Sequence, residues 1–376
     1  MNIKVTMEAF LPLTLLLLQG AIAHPARPFI PQCSETHKAR NEYDITCILQ
    51  AGQFLDYNDI RIHSSNNVDK MFNVTIDCAA GGLVELPWPF EATNVFSLQV
   101  NGCTTSGYFS ERNALQRYSS ELKYLSLIDV THKITIKELH NMVSKMTETG
   151  SDYECGPENA FVKIFRNIQY MFPPPQGSVE ELMMMDYLMS SDSMKNLVNT
   201  KRKCRYHHLN YLEESGSRSM SSVHFKILET SSEYPELKHY NLRNNSFTSV
   251  PEELRRLNIR FMPKLAYLDL SDNNVRTPDF TFDGVSTTPL VINLRRNKIT
   301  NIDKTSLSQL VKNANILFDL RENPIVCSCE MLEYSNSLSR SIDNSTARDI
   351  YETLTCLDSR SMHVLVKDFK FKDCLH

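Results

Sequence analysis

One tryptophan and eleven glycines in 376 residues is a sparse supply of both. Few glycines leave little material for phosphate-cradling loops, and neither GxGxxG nor GxxxxGK followed by Ser or Thr occurs. GxSxG and HExxH are missing too, so no hydrolase or zinc-protease signature is present. Zinc fingers and ribbons need paired CxxC or HxxxH spacings, and none is found. His207-His208 therefore reads as an exposed pair rather than a ligand set. Basic runs are short. Lys201-Arg202-Lys203 stands alone against a net charge of −4 with both signs interspersed, which argues against a nucleic-acid partner. Past the first residues, no apolar stretch approaches the ~20 residues needed to span a bilayer, so no transmembrane anchor is expected.

What is present begins with a targeting pattern. Lys4 supplies a positive start, Leu11 to Leu18 an apolar run broken by Pro12 and Thr14, and Ala21-Ile22-Ala23 a small-x-small cleavage site. This predicts a signal peptide over 1–23 and a mature, secreted chain from His24. All ten cysteines follow that site. An even number in an oxidising compartment predicts disulfides. Asn73-Val74-Thr75, Asn244-Asn245-Ser246 and Asn344-Ser345-Thr346 are glycosylation sequons, which suit the same compartment.

An internal repeat organises the second half. Leu265, Leu268, Leu270, Asn273 and Val275 spell an unbroken LxxLxLxxNxL. Leu237, Tyr240, Leu242, Asn245 and Phe247 form the unit before it; Leu290, Ile292, Leu294, Asn297 and Ile299, then Ile316, Phe318, Leu320, Asn323 and Ile325, form the two after it. The asparagines fall 28, 24 and 26 residues apart, within the range of a leucine-rich repeat. In such a unit the L-x-L pair is a short strand whose alternate side chains enter the core. One strand cannot bury its apolar face alone, so neighbours stack in parallel. The expected architecture is an α/β solenoid: a leucine-rich-repeat horseshoe with a parallel concave sheet, an irregular convex side and disulfide-stapled caps.

Upstream the pattern weakens. Val95, Leu98, Val100 and Cys103 fit with cysteine in the asparagine slot, and Leu122, Leu125 and Leu127 fit with Val130 there. From Ile134 to Val223 the template is hard to follow, and the segment reads as an irregular insertion or as degenerate repeats with long convex loops. Helices are expected over Lys137–Met146 and Glu180–Met189, the latter with Leu182, Met185 and Met189 on one face. Pro173-Pro174-Pro175 breaks the chain between them, and Cys155 and Cys204 are expected to pair. The resulting divisions are 24–94, a cysteine-containing N-terminal region and cap; 95–222, degenerate repeats; 223–326, regular repeats; and 327–376, a cysteine-rich cap.

A repeat stack leaves an apolar face open at each end, so caps are required. Cys327 and Cys329 are too close to pair comfortably with each other, and each needs a distant partner. The pairs expected are Cys327–Cys356 and Cys329–Cys374. Asn323-Pro324-Ile325-Val326-Cys327-Ser328-Cys329, followed by those two later cysteines, resembles the C-terminal flanking domain of extracellular leucine-rich-repeat proteins. That family usually carries a tryptophan shortly after the CxC; here Ser337 stands near the place, which predicts a looser cap core. Val74-Thr75-Ile76-Asp77-Cys78 with Gly82-Leu83-Val84-Glu85-Leu86-Pro87 resembles the end of the N-terminal flanking domain, making Val95 the start of the first repeat. The pairing of Cys33, Cys47, Cys78 and Cys103 stays open. The resemblance covers 72–130 loosely and 235–376 well. The long cysteine-bearing N-terminus and few regular repeats are also similar to the insect singed wings and halfway type, implicated in steroid-hormone-driven development.

Function then falls to the concave surface. The positions between the leucines place Asn241, Asp269, Asn293 and Asp319 in one column and Arg243, Ser271, Arg295 and Arg321 in the next, with Tyr267 alongside. An acidic-polar column beside a basic one suits a polar extracellular protein partner. It equally suits residues that pair with each other and keep the sheet soluble. No catalytic residue, cofactor or metal is expected. The functions that fit are a secreted binding protein in extracellular or developmental signalling, an innate-immune recognition factor, or a structural matrix component.

Overall fold

A computed structural model describes residues 30–371 and Cys374, leaving out 80, 87–91, 108–120, 138–139, 141–159, 172–176, 190–204, 218–232, 259–261, 284–287, 314, 342 and 372–373. The signal-peptide region, Cys155, Cys204 and nearly all of the helix expected at Lys137–Met146 lie outside the described residues.

One eleven-stranded sheet draws its strands from Cys33 to Asp319. Its strands are β1 (Cys33–Ala39), β2 (Glu42–Leu49), β3 (Met71–Cys78), β4 (Val95–Asn101), β5 (Tyr124–Ile128) and β6 (Val162–Arg166). They continue through β7 (Tyr211–Ser215), β8 (His239–Asn241), β9 (Tyr267–Asp269), β10 (Leu290–Asn293) and β11 (Ile316–Asp319). β1 and β2 form an antiparallel hairpin, and every later pairing is parallel. Alternation explains the strands. Phe72, Val74 and Ile76 point inward and are buried, and Leu98 with Val100, Leu125 with Leu127 and Leu268 with Leu270 repeat the arrangement turn by turn. The fold is the leucine-rich-repeat solenoid.

Two devices hold successive turns in step. The first is a residue just past each strand from β4 to β11 with positive φ, between 53° and 76°, at Gly102, Asp129, Asn167, Gly216, Asn244, Asp272, Arg296 and Glu322. This left-handed conformation costs a non-glycine residue roughly 1–2 kcal/mol. It turns each backbone N–H toward the next turn: Asp129 donates to Arg166 O at 2.9 Å, Asn167 to Ser215 O at 2.8 Å and Asp272 to Arg295 O at 3.0 Å. The second device is the buried asparagine that follows. The Nδ2 of Asn297 donates to Leu270 O and Leu294 O at 2.9 and 3.0 Å, bridging two turns. Its Oδ1 accepts from Val275 N at 2.9 Å. Asn245, Asn273 and Asn323 bridge turns in the same way.

The stack begins earlier than Val95. β2 and β3 already lie in parallel register with β4, because Ile45, Cys47 and Leu49 alternate inward as the leucines do later. A second parallel sheet of five short strands, from Phe54–Asp56 to Gln169–Met171, gives the first half a regular second wall that an irregular convex side did not anticipate. Cys33 is bonded to Cys47 across the hairpin, and Cys78 to Cys103 between adjacent turns. The helix at Val179–Met189 is present, but Leu182 is 54% exposed, so that end of its expected apolar face covers no core.

The hard-to-follow middle contributes two strands to the long sheet. β6 and β7 continue the sheet in register, with Lys163 in one leucine slot and Glu214 in another. Both are buried, at 1% and 3% exposure. The Lys163 ammonium lies 5.3 Å from the centre of the Tyr206 ring, which stacks on Tyr234 at 4.9 Å. Glu214 accepts a hydrogen bond from the Tyr240 hydroxyl at 2.9 Å. Ile168 and Ser217 fill the asparagine slots; Ser217 Oγ donates to Ile168 O at 3.0 Å.

At the far end Cys327 is bonded to Cys356 and Cys329 to Cys374. Ser328 caps the helix Cys329–Arg340, whose Met331, Tyr334 and Leu338 are buried against the last turn. Tyr334 is buried in the cap core, and its hydroxyl donates to the carbonyl of Phe318.

The buried acid in a leucine slot makes a stability prediction. Glu214→Leu or Tyr240→Phe alone leaves a buried polar group without this hydrogen-bond partner and should cost about 1–3 kcal/mol, while the double substitution, which removes both partners, should cost less than the sum of the two. Urea unfolding of the four proteins measures this. A double variant whose loss equals the sum of the two singles would mean that the two side chains are not coupled.

Candidate functional site

The register sorts the concave face into rows. Nearest the start of each strand, Ser97, Tyr124, Val162, Tyr211, His239, Tyr267, Val291 and Leu317 stand on successive strands. The Tyr211 and His239 rings are 6.2 Å apart and those of His239 and Tyr267 6.1 Å, so three rings line up across β7, β8 and β9. Tyr124 and His239 are exposed, and Val162, Tyr211, Tyr267 and Val291 half-buried.

In the next row Asn241, Asp269, Asn293 and Asp319 do stand in one column. Their side chains turn onto their own backbone. Each Oδ1 accepts from the N–H two residues on: Arg243 at 3.0 Å, Ser271 at 2.8 Å, Arg295 at 3.1 Å and Arg321 at 3.2 Å. Short acceptors at this position end the strand by closing a local turn, a structural reason for Asn or Asp there. Asn293 and Asp319 are buried. Nδ2 of Asn293 donates to the Tyr267 hydroxyl and to Asp269, each at 3.0 Å.

The arginine column is engaged as well. Arg321 pairs with Asp319 and reaches Asp349 at 2.6 Å and Thr353 at 2.9 Å on the cap helix Ser345–Thr353. Arg295 pairs with Glu322, Glu322 with Arg296, Arg296 with Asp272, and Asp272 with Arg243. The Arg296 and Arg243 guanidinium groups hold the Asp272 carboxyl below its ordinary range, and Arg295 does the same for Glu322.

Where this chain of charges meets the middle turns, the face opens into a polar pocket of about 660 Å³. Arg166, Glu213, Ser215, Asn241, Arg243 and Asp272 line it, together with Asn167, Gly216 and Asn244. Glu213 sits at its floor, accepting from Arg166 Nε and Nη2 at 2.6 and 3.1 Å, Tyr211 Oη at 2.8 Å and Ser215 Oγ at 2.6 Å. Burial pushes the Glu213 pKa upward, but those donors outweigh it and hold the carboxyl below its usual value. Burial and the Glu213 contact together raise Tyr211. At Gly216 φ is +76°, and a Cβ there would fall 1.9 Å from Asn167 Oδ1, so a larger residue would have to displace that side chain.

Of the sequence-derived binding residues, Asn241 and Arg243 lie in the pocket and Tyr267 in the aromatic row; Asp269, Asn293, Arg295, Asp319 and Arg321 are committed to internal contacts. Arg166, Glu213 and Tyr211 were not picked out, because the leucine slots that would have placed them hold Lys163 and Glu214. Among the described residues, no group of His, Cys, Asp and Glu could hold a metal ion, and no helix is long and apolar enough to cross a membrane.

No family profile matches the chain, and no curated protein matches it. Among solved structures it is similar to human 5T4, also called Wnt-activated inhibitory factor 1 or trophoblast glycoprotein. The likeness covers 93% of this chain and 99% of that one, at 14% identity and a TM-score of 0.45, and says nothing about function.

The lowered Glu213 pKa fixes a pH dependence. A carboxyl depressed on folding contributes stability in full above its unfolded value near ~4.3 and loses it as pH falls from there through the folded value. Glu213→Gln should therefore flatten the fall in urea midpoint between about pH 5 and pH 3. A variant with the wild-type slope would remove Glu213 from the acid response.

Proposed function

We propose that this chain is a secreted, non-enzymatic binding protein that holds an extracellular protein partner on its concave face, against the aromatic row and the arginine-lined pocket beside it. The observation that carries the reading is the row itself: Tyr124, Val162, Tyr211, His239, Tyr267 and Val291 in register on six adjacent strands and accessible to solvent. Binding energy at protein interfaces concentrates in tyrosine, tryptophan and arginine. Tyrosines anchored on strands lose little freedom when covered. Arg166 and Arg243 stand next to them, oriented by Glu213 and Asp272. Four disulfides among the described residues belong to an oxidising compartment. The non-enzymatic reading is supported by Glu213, the most buried acid of the pocket, whose four accepted hydrogen bonds keep it ionised rather than poised to exchange a proton.

The setting we propose is extracellular or developmental signalling. Its support is the sequence resemblance to the singed wings and halfway type, whose role lies in steroid-hormone-driven development. A signalling role calls for a saturable soluble partner, an immune role for binding to microbial surfaces, and a matrix role for retention in insoluble material.

Affinity capture with the secreted, glycosylated chain tests the surface. The double variant Tyr211→Ala with Tyr267→Ala should weaken the captured partner by at least tenfold, about 1.4 kcal/mol. Lys312→Ala, exposed on the helix Lys304–Lys312, should leave it bound. Loss with the lysine variant and retention with the tyrosine variant would move the interface off the concave face.

A further inference from the structure

The aromatic row has a sequon at its N-terminal end. In β3 the residues Phe72, Val74 and Ile76 are buried, so Asn73 and Thr75 of Asn73-Val74-Thr75 both stand on the opposite, concave side. Asn73 is in register with Ser97, and Ser97 with Tyr124. Tyr124 is thus two strands from Asn73, about 10 Å at ordinary strand spacing. Only the short Ser97 side chain stands between them in the row. Phe96, at the register shift between β3 and β4, turns its ring against Tyr124 with centroids 5.3 Å apart. Tyr124 is 41% exposed.

We propose that Asn73 carries an N-linked glycan that lies across Ser97 onto Tyr124, so that this end of the concave row is covered by sugar. The reaction is the ordinary one of the secretory pathway: the side-chain amide nitrogen displaces the pyrophosphate of a lipid-linked oligosaccharide at the sugar's C1. A nitrogen–carbon bond forms, the carbon–oxygen bond to the lipid pyrophosphate breaks, and one amide proton leaves. The amide has two N–H groups, and Asn73 donates to Asp44 Oδ1 at 3.0 Å. The substituted amide keeps one, so this contact and the glycan are compatible, and Asp44 holds the glycan root over the sheet. A pyranose has an apolar C–H face, and the Phe96–Tyr124 pair offers it an aromatic surface. The consequence is a division of the row. Its first part is occupied within the molecule, and the stretch from Tyr211 to Tyr267 is left for contact. This depends on the geometry of β3, β4 and β5 and stands whether or not a partner binds the row.

The test uses full-length protein secreted from eukaryotic cells. Peptide mapping before and after peptide N-glycosidase reads whether Asn73 is modified. Tetranitromethane, which nitrates accessible tyrosines, reads what the glycan covers. Asn73 should be glycosylated, and Tyr124 should react several-fold more slowly in the glycoprotein than in Thr75→Val, with Tyr211 and Tyr267 unchanged. Thr75→Ser, which keeps the sequon, should behave as the parent protein. Should Thr75→Val fail to be secreted, native protein stripped by the glycosidase supplies the same comparison. An unmodified Asn73, or equal nitration of Tyr124 with and without the glycan, overturns the proposal.

Discussion

Each asparagine of the ladder hydrogen-bonds to two turns at once, and the regular half of the structure depends on that bridging. A parallel stack with one short strand per turn has many backbone groups that face neither water nor a strand partner. Leaving one buried and unsatisfied costs about 1–3 kcal/mol. Asn245, Asn273, Asn297 and Asn323 meet that demand with a planar group that donates to two carbonyls and accepts from the neighbouring backbone. Where the ladder stops, other devices take over: Ser217 bonds to Ile168 O, and Cys103 is tied to Cys78.

The same economy of polar groups decides which parts of the concave face are available. Asn and Asp at the ends of β8 to β11 close a local turn, and the arginines next to them are drawn into pairs with acids on the neighbouring turn or the cap. Polar residues at regular spacing therefore carry two messages, and in β10 and β11 the internal one dominates. The row at the start of the strands is less committed: Tyr211 and Tyr267 hydrogen-bond internally only through their hydroxyls, to Glu213 and Asn293, and their rings stay partly exposed. Its rings stay on the surface because the backbone there is already paired within the sheet.

The leucine slots, the asparagines and the cysteines of the cap were legible in the sequence because each is a local pattern with one physical cause. The turns built on β6 and β7 were not. A charged residue in a leucine slot breaks any template read one turn at a time, and the ring that receives the Lys163 ammonium is that of Tyr206, which sequence spacing does not bring to it. The pocket was hidden for the same reason: Arg166 and Glu213 are 47 residues apart and meet only through the pairing of β6 with β7. The Cys33–Cys47 bond follows from the antiparallel hairpin, which a reading built on parallel repeats had no cause to expect.

The left-handed residue beyond each strand from β4 to β11 has a final consequence. Its backbone is spent on the bond to the next turn, and its side chain is thrown outward, clear of the core. Along this edge the molecule shows Gly102, Asp129, Asn167, Gly216, Asn244, Asp272, Arg296 and Glu322 in order, one letter per turn. Such an edge works like a row of type set on a fixed bar. A letter can be exchanged for another that tolerates the same backbone without moving the bar, so the charge written along the rim can change while the solenoid beneath it stays the same.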